Sequence, residues 1–336
     1  MEAAPAALSF FPLKEPVQWV KPFGHGHINE TFQVKTVNQS WLLQAVNTAV
    51  FQQPEIIERH LKILLPHDPS LFVPHLLSKQ GTYHITFQSK VWRLQKLMEN
   101  AYASELCNDK QREEVVKGIA RFTKSMQSLS LSDFQPTIPE FHNLSARLVQ
   151  YEEAKKRDVQ QRLKDANLIA KKLDKWMGLE DQFKAWVRKG LPLRICHNDA
   201  KAANVLLNQS DHSFARVIDL DTVGPGYVIF DFGDLLRSLL PDVKENAADA
   251  QVRIDGKKAE QMQRLFIKEC GDVLTTVEKD ALLFGGLYMT YLMALRFFTD
   301  YLKGDVYYQV RYATENLDRA SNQCAVLEGM YSVFQN

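Results

Sequence analysis

The sequence predicts an α+β protein of two lobes, a small β-rich lobe with one main helix over residues 1–100 and a larger, mostly helical lobe over 101–336. Three observations lead there. Short strand-forming runs bounded by Gly, Asn, Asp or Ser fill the first part of the chain. Helical spacing of apolar residues takes over from Cys107, and around residues 193–221 it is interrupted by short apolar runs set between polar turns. A chain of 336 residues can build two cores, and 45% apolar with 24% charged residues is the balance of a globular protein.

In the first lobe, residues 17–20 and 31–37 read as strands on either side of Phe23-Gly24-His25-Gly26-His27-Ile28-Asn29-Glu30. Glycine in such a turn lets backbone N–H groups approach phosphate oxygens without obstruction, although an ordinary hairpin loop has the same composition. His25 and His27 lack a neighbouring Cys or carboxylate cluster, so they suit polar contacts to a phosphate or hydroxyl rather than a metal. Residues 41–46 read as a third strand whose polar residue is Gln44. Pro54 opens a helix with Ile57, Leu61, Leu64 and Leu65 on one face, expected to cover the sheet, and Pro66 ends it. Residues 82–87 and 91–97 complete five strands.

In the second lobe, residues 110–129 carry Val115, Val116, Ile119, Phe122, Thr123 and Met126 along one side of a helix. Residues 144–176 surround sparse apolar positions with charges of mixed sign, which favours a solvated helix over a coiled coil or a nucleic-acid surface. Residues 136–142 read as a loop and Gly224-Pro225-Gly226 as a turn. Phe230-Asp231-Phe232-Gly233-Asp234 opens a helix through Leu240, with Asp231 placed to cap it or to brace the loop before it. Residues 257–271, 277–302 and 306–334 read as three final helices. The uncharged stretch 281–293 is only 13 residues long, flanked by Asp280 and Arg296, and suits a buried helix better than a membrane span.

The chain is organised around His197-Asn198-Asp199-Ala200-Lys201-Ala202-Ala203-Asn204. A strand follows at 205–207 and, after a polar turn, Arg216-Val217-Ile218-Asp219-Leu220-Asp221. Asp199, Asn204 and Asp219 therefore fall at the ends of neighbouring backbone runs, within reach of one site. Phosphoryl transfer calls for this set. One carboxylate orients an acceptor hydroxyl, while an amide oxygen and a second carboxylate hold magnesium ions that bridge nucleotide phosphates. His-x-Asp-x4-Asn is the catalytic-loop spacing of kinases, but the third strand, where a kinase carries its phosphate-pairing lysine, here has Gln44.

The formal net charge of +1, from 41 Lys+Arg against 40 Asp+Glu, provides no overall field to attract nucleic acid or an anionic membrane. Cys107, Cys196, Cys270 and Cys324 form no C-x-x-C pair, so neither a zinc site nor a dense disulfide framework is indicated. Pro5, Pro12 and Lys14 break the apolar residues of the N-terminus, against a signal peptide. The expectation is a monomeric cytoplasmic protein with reduced thiols.

The segments 197–204, Ile218-Asp219 and Phe230-Asp231-Phe232-Gly233-Asp234 resemble the aminoglycoside phosphotransferase and choline kinase family, whose fold is a protein-kinase-like pair of lobes. More narrowly, Gly24-His25-Gly26-His27-Ile28-Asn29, Leu42-Leu43-Gln44, Ile218-Asp219-Leu220-Asp221-Thr222-Val223 and the segment 296–305 resemble the N-acetylhexosamine 1-kinases, the similarity running over about residues 23–308. This resemblance implies Asp199 as catalytic base, Asn204 and Asp219 as magnesium ligands, and Gly24, Gly26, Asn29 and Gln44 on the nucleotide side. It implies Arg296 and Tyr307 as acceptor contacts, joined by His27 from the other lobe. ATP and Mg2+ are the cofactors so implied, and a sugar the small-molecule partner, phosphorylated on its anomeric hydroxyl.

From the residues alone, Arg296 would pair with Asp300 at i, i+4, and Tyr307 and Tyr308 would pack on the helix before them. A kinase for choline, an aminoglycoside or another amino alcohol is the alternative within enzymes, and would want carboxylates or an aromatic cage. A nucleotide-binding regulator without catalysis is the alternative outside them.

Overall fold

A computed structural model describes residues 3–24, 28–247 and 252–334. The first lobe runs α1 (Ala3–Ala7), β1 (Val17–Pro22), β2 (Glu30–Thr36), β3 (Ser40–Val46), α2 (Pro54–His67), β4 (His75–Leu76), β5 (His84–Phe87) and β6 (Lys90–Lys96). Its strands form an antiparallel sheet in the order β1-β2-β3-β6-β4, with β5 also paired to β6. The short β4 is an addition to the five strands read from the sequence.

Alternation along the strands sorts the two faces of the sheet. Val34, Leu43, Ala45, Ile85, Trp92 and Leu94 pack under Ala4, Ala7, Leu8 and Phe11 of the N-terminal segment. Thr31, Gln44, Arg93 and His84 stand in one cross-strand row. That row offers α2 no apolar surface, so α2 does not cover the sheet. Ile57, Leu61 and Leu64 join the larger core of the second lobe instead. Glu58 on α2 still ties the helix to the sheet, accepting from the backbone N–H groups of Tyr83 and His84 at 3.0 and 2.9 Å.

The second lobe continues with β7 (Ala101–Tyr102), α3 (Asp109–Ser125), α4 (Leu144–Arg157), α5 (Leu163–Asp174), α6 (Leu179–Arg188), β8 (Arg194–Cys196), β9 (Val205–Asn208), β10 (Phe214–Val217), β11 (Gly224–Gly226), α7 (Val228–Leu239), α8 (Gly256–Cys270), α9 (Thr276–Lys303) and α10 (Glu315–Phe334). The charged run 144–176 is two helices rather than one, because the chain turns at Asp158 through a left-handed conformation with φ +35°. Gly224-Pro225-Gly226 is not a turn but a short strand paired with β8. A second small sheet has the order β10-β9-β7.

Helix α9 is the axis of this lobe. Thr275 and Glu278 form a capping box at its start, and Gly304, with φ +93°, ends it. By length and composition alone α9 could cross a membrane, but its apolar window is largely buried within the fold, against α7, α4 and α10 among others. Beyond Gly304 the sequence pattern suggests helix from residue 306, yet α10 starts at Glu315. The reason is Asp300, whose carboxylate accepts from the backbone N–H groups of Val306, Tyr307 and Tyr308 at 3.1, 2.8 and 3.0 Å and holds them as a loop.

Two glycines set the crossing of α7 and α9. A Cβ on Gly233 would lie 2.3 Å from the carbonyl oxygen of Gly285, and one on Gly285 would lie 2.1 Å from that of Ile229. Gly285→Ala forces these backbones apart. It is expected to lower stability by about 1–3 kcal/mol, read as a lower urea midpoint with an unchanged slope. An unchanged midpoint would show that the helices spread without cost.

Candidate active site

The loop between β8 and β9 carries the acidic residues, and three neighbours fix its path. Asp231, on the first turn of α7, accepts from the backbone N–H groups of His197 and Asn198, both at 2.8 Å. It braces the loop and does not cap its helix, whose N-cap position is Tyr227. His197 donates from Nε2 to the carbonyl of Ile218 at 2.9 Å, and His142 donates from Nε2 to the carbonyl of Asn198 at 2.8 Å. Asn198 itself sits at φ +61°, with its amide directed to the carbonyls of Thr222 and Gly224. Gly226 makes room for it, since a Cβ there would lie 2.3 Å from Asn198 Oδ1.

These contacts bring the three residues of the sequence motif together. Asp199 Oδ2 accepts from Lys201 Nζ and from Asn204 Nδ2, each at 2.8 Å, and Asn204 Nδ2 also reaches the carbonyl of Asp199 at 2.7 Å. Among the described residues, Oδ1 of Asp199 and Oδ1 of Asn204 have no partner. Ile218 donates its N–H to the Asn204 carbonyl at 3.0 Å, and the next residue, Asp219, lies at φ +61°. Burial works against the charge on Asp199, but the Lys201 ammonium beside it holds its carboxyl below the usual range. Asp219 is open to solvent at the cleft. The protein packed around it and the nearby carboxylates of Asp221 and Asp199 push its pKa up to about 7.

On the first-lobe side, Gly24 takes a left-handed backbone with φ +72° and is exposed. His25, Gly26 and His27 lie outside the described residues. Asn29 and Gln44 are both engaged within the protein. Asn29 donates to Asp221 Oδ2 at 2.9 Å and accepts from the Asn47 N–H at 2.9 Å; Gln44 donates to Thr31 at 3.2 Å and accepts from Arg93 Nε at 2.9 Å. Arg93 then forms a two-pronged ion pair with Asp221.

A second wall faces Asp199. The Arg296 guanidinium lies over the rings of Phe141, Tyr307 and Tyr308 at 4.8, 5.4 and 5.6 Å from their centroids. Among the described residues no carboxylate pairs with it. The expected Arg296–Asp300 ion pair does not form, because Asp300 is taken up by the 306–308 backbone and by Asn316. The hydroxyls of Tyr307 and Tyr308 are buried without partners among the described residues. Arg147 holds the carbonyls of Glu140 and Phe141, both at 3.0 Å, and so places Phe141 under Arg296.

Beside this wall run Asp234, Arg237, Glu245 and Arg319, joined in sequence by ion pairs, with the Arg319 guanidinium 3.7 Å from the Phe297 centroid. Burial opposes ionisation of Glu245, yet Arg319 and Arg237 bring its carboxyl down to about 2. An aromatic-lined cavity of about 520 Å³ lies behind the loop, between Phe183, Tyr227, Phe230 and Tyr288, and includes neither Asp199 nor Asp219.

The sequence matches the family described as phosphotransferase enzyme family over residues 19–265, well over half its length. The chain belongs to that family. Among solved structures, this phosphotransferase is similar to a spectinomycin phosphotransferase in complex with ADP and spectinomycin, with a TM-score of 0.63 at 11% identity over 100% of this chain and 98% of the other. It is similar to a choline kinase from Cryptosporidium parvum Iowa II, with a TM-score of 0.63 at 15% identity over 99% and 95%. A microcompartment-associated aminopropanol kinase gives 0.59 at 16% identity over 98% and 97%. At such identities the likeness is one of fold, the protein-kinase-like pair of lobes with a β-sheet first and helices after it.

Sequence reasoning passed over Lys201, the partner of Asp199, and Arg93, the partner of Asp221. Lys201 stands two residues after Asp199, a spacing visible in the sequence, whereas Arg93 announces itself only through strand register. Asp231→Asn in this phosphotransferase puts an amide N–H against one backbone donor and leaves that donor unsatisfied. A loss of about 1–3 kcal/mol is expected in denaturant unfolding, with turnover falling as Asp199 loses its support. Full stability and full turnover together would refute the brace.

Proposed function

We propose that this phosphotransferase moves the γ-phosphoryl group of ATP to the anomeric hydroxyl of an N-acetylhexosamine, giving the sugar 1-phosphate. The observation that carries the reading is the pairing of two surfaces. Asp199, Asn204 and Asp219 converge at the mouth of the cleft, facing a wall where, among the described residues, one guanidinium has no carboxylate partner and two buried tyrosine hydroxyls have no hydrogen-bond partner. A sugar ring presents hydroxyls to such donors and an apolar face to Phe141 and Tyr307.

Asp199 is the group that orients and accepts the proton of the acceptor hydroxyl. Lys201 keeps it ionised, and its free Oδ1 is the oxygen left to do so. An anomeric hydroxyl is more acidic than an ordinary alcohol, so a carboxylate of low basicity suffices. Asn204 Oδ1 and the Asp219 carboxylate are hard oxygen donors of the kind Mg2+ takes. Among the described residues no three His, Cys, Asp or Glu side chains are grouped so as to hold a metal ion by themselves, so the remaining ligands would be phosphate oxygens and water. When bound, the ion would neutralise and bridge the phosphate oxygens. Gly24 would offer its backbone to those phosphates, a role expected of Gly26 from the sequence as well, and Asn29 and Gln44 support that side through their protein contacts. Arg296 and Tyr307 would contact the sugar, and His27 is given the same role from the sequence alone.

Charge separates this acceptor from the amines that the neighbouring structures name, choline and aminopropanol. The carboxylates available to an ammonium beside the wall, Asp234 and Glu245, are already paired with Arg237 and Arg319. Arg296 and Arg147 would stand next to any cationic acceptor, and Arg147 is itself driven toward lower basicity by burial and by Arg296.

Asp199→Asn should lower turnover by about 10²-fold to 10⁴-fold with little change in unfolding midpoint; near-normal turnover would sink the role given to Asp199. Arg296→Met should raise the KM of the acceptor about 10-fold to 100-fold, the scale of a lost charge-assisted hydrogen bond, while the KM of ATP stays within about twofold. The deciding assay offers ATP and Mg2+ with hexoses, N-acetylhexosamines, choline and an aminoglycoside, and tests the product for an acid-labile anomeric phosphate. Turnover of the amines alone would overturn the sugar assignment.

A further inference from the structure

Gln44 stands where a strand lysine was expected, and the sheet register explains what takes over. β3 and β6 run antiparallel with Gln44 opposite Arg93. Arg93 is 3% exposed and its fork is fully directed, Nε to Gln44 Oε1 at 2.9 Å and Nη2 to Asp221 Oδ2 at 2.9 Å, with Nη1 on the other Asp221 oxygen. Asp221 is 1% exposed and receives Asn29 Nδ2 as well, at 2.9 Å. One carboxylate thus gathers the end of the glycine-bearing turn and two strands of the first lobe.

The same carboxylate belongs to the segment of the second lobe that carries Asp219. A short helical turn, Leu220–Thr222, links Asp219 to this region. Thr222 Oγ1 donates to the His197 carbonyl at 2.8 Å, and Asn198 Nδ2 donates to the Thr222 carbonyl at 3.1 Å. Contacts therefore run without a break from Gln44 through Arg93 and Asp221 to the catalytic loop. A buried ion pair is a poor way merely to fill space, since desolvation costs several kcal/mol per ion. What a two-pronged pair adds is orientation.

We propose that Arg93 and Asp221 form a lobe-to-lobe clamp that holds the sheet, and Asn29 beside it, in register with Asp219. Arg93 is a positioning residue here: both of its terminal nitrogens face Asp221, and it acts on the reaction through Asp219 and Asn29. It takes the place of the strand lysine by fixing geometry rather than by pairing with phosphate. The catalytic consequence rests on the ATP-dependent reading above; the clamp itself rests on the contacts.

The test compares Arg93→Met, Asp221→Asn, the double variant and Arg93→Lys. In the protein without ligand, hydrogen exchange of backbone amides at 218–223 should speed up about 10-fold or more in each single variant and no further in the double, as expected for partners acting as one unit. With ATP, Mg2+ and the turned-over acceptor, each single variant should lose about 10-fold to 100-fold in kcat with the acceptor KM within about twofold, the double variant matching the worse single. Arg93→Lys, which keeps the charge but not the fork, should recover only part of the loss.

Multiplying losses in the double variant would overturn the clamp. So would an ATP affinity that falls about 100-fold in Arg93→Met and not in Asp221→Asn, the signature of direct phosphate contact. If Arg93→Met does not fold, Gln44→Leu releases the Arg93 Nε alone and should cost about 3-fold to 10-fold in kcat; no change there would equally overturn the proposal. Failure of the wild type to use any acceptor would instead refute the kinase reading and leave the exchange result to decide the clamp.

Discussion

The carboxylate of Asp231 carries the geometry of the cleft. Burying a carboxylate is costly unless donors meet it, and Asp231, 1% exposed, is met by the two backbone N–H groups of His197 and Asn198. Burial pushes its carboxyl up to about 7 in spite of those two bonds. The peptides just before Asp199 are thereby fastened to α7. α7 is in turn set against α9 by the contact of Gly233 with Gly285, and α9 carries Arg296 one turn ahead of Asp300, which folds the 306–308 loop. One packed pair of helices consequently fixes both sides of the cleft, the acidic loop and the wall that carries Arg296.

Around this frame the cleft collects five aspartates, and four of them are answered locally. Lys201 and Asn204 meet Asp199, Arg93 and Asn29 meet Asp221, backbone amides meet Asp231, and Arg237 meets Asp234. Among the described residues, Asp219 alone of the five makes no hydrogen bond or ion pair. Crowded by the other acids and left without a donor, it is the carboxylate whose charge a bound cation would balance. Each of the other four acids has its own compensation within the protein, which leaves Asp219 as the one that the proposed metal would serve.

The sequence made much of this legible because the motif is local. Asp199 and Asn204 share one loop, Asp219 follows one strand later, and short apolar runs between polar turns mark where that loop begins and ends. Asp231 was readable as a brace for the same reason. What stayed hidden depends on partners distant in the chain. Arg93 is one polar residue on an alternating strand, and its meaning requires both the Gln44 register and a carboxylate in the other lobe. The start of α10 was misplaced because helical periodicity cannot register a side chain such as Asp300 capturing backbone donors downstream. Gly224-Pro225-Gly226 has the composition of a turn, and only its neighbour β8 makes it a strand. The helix α2 was aimed at the wrong surface because its apolar stripe does not say which core it enters.

The charge pattern beside Asp199 has a further consequence for what the wall can receive. Asp234 and Glu245 alternate with Arg237 and Arg319 in a chain of ion pairs, so their charges cancel within the protein. Arg296 and Arg147 then remain as guanidiniums with no carboxylate of their own among the described residues. A guanidinium held by aromatic faces keeps its charge while losing much of its water, so it favours an acceptor that brings oxygen atoms rather than an ammonium group. The unpartnered hydroxyls of Tyr307 and Tyr308 point the same way, because a buried hydroxyl without a partner is costly until a ligand supplies one. These unpaired donors are the physical ground for proposing an acceptor rich in hydroxyl or carbonyl oxygen.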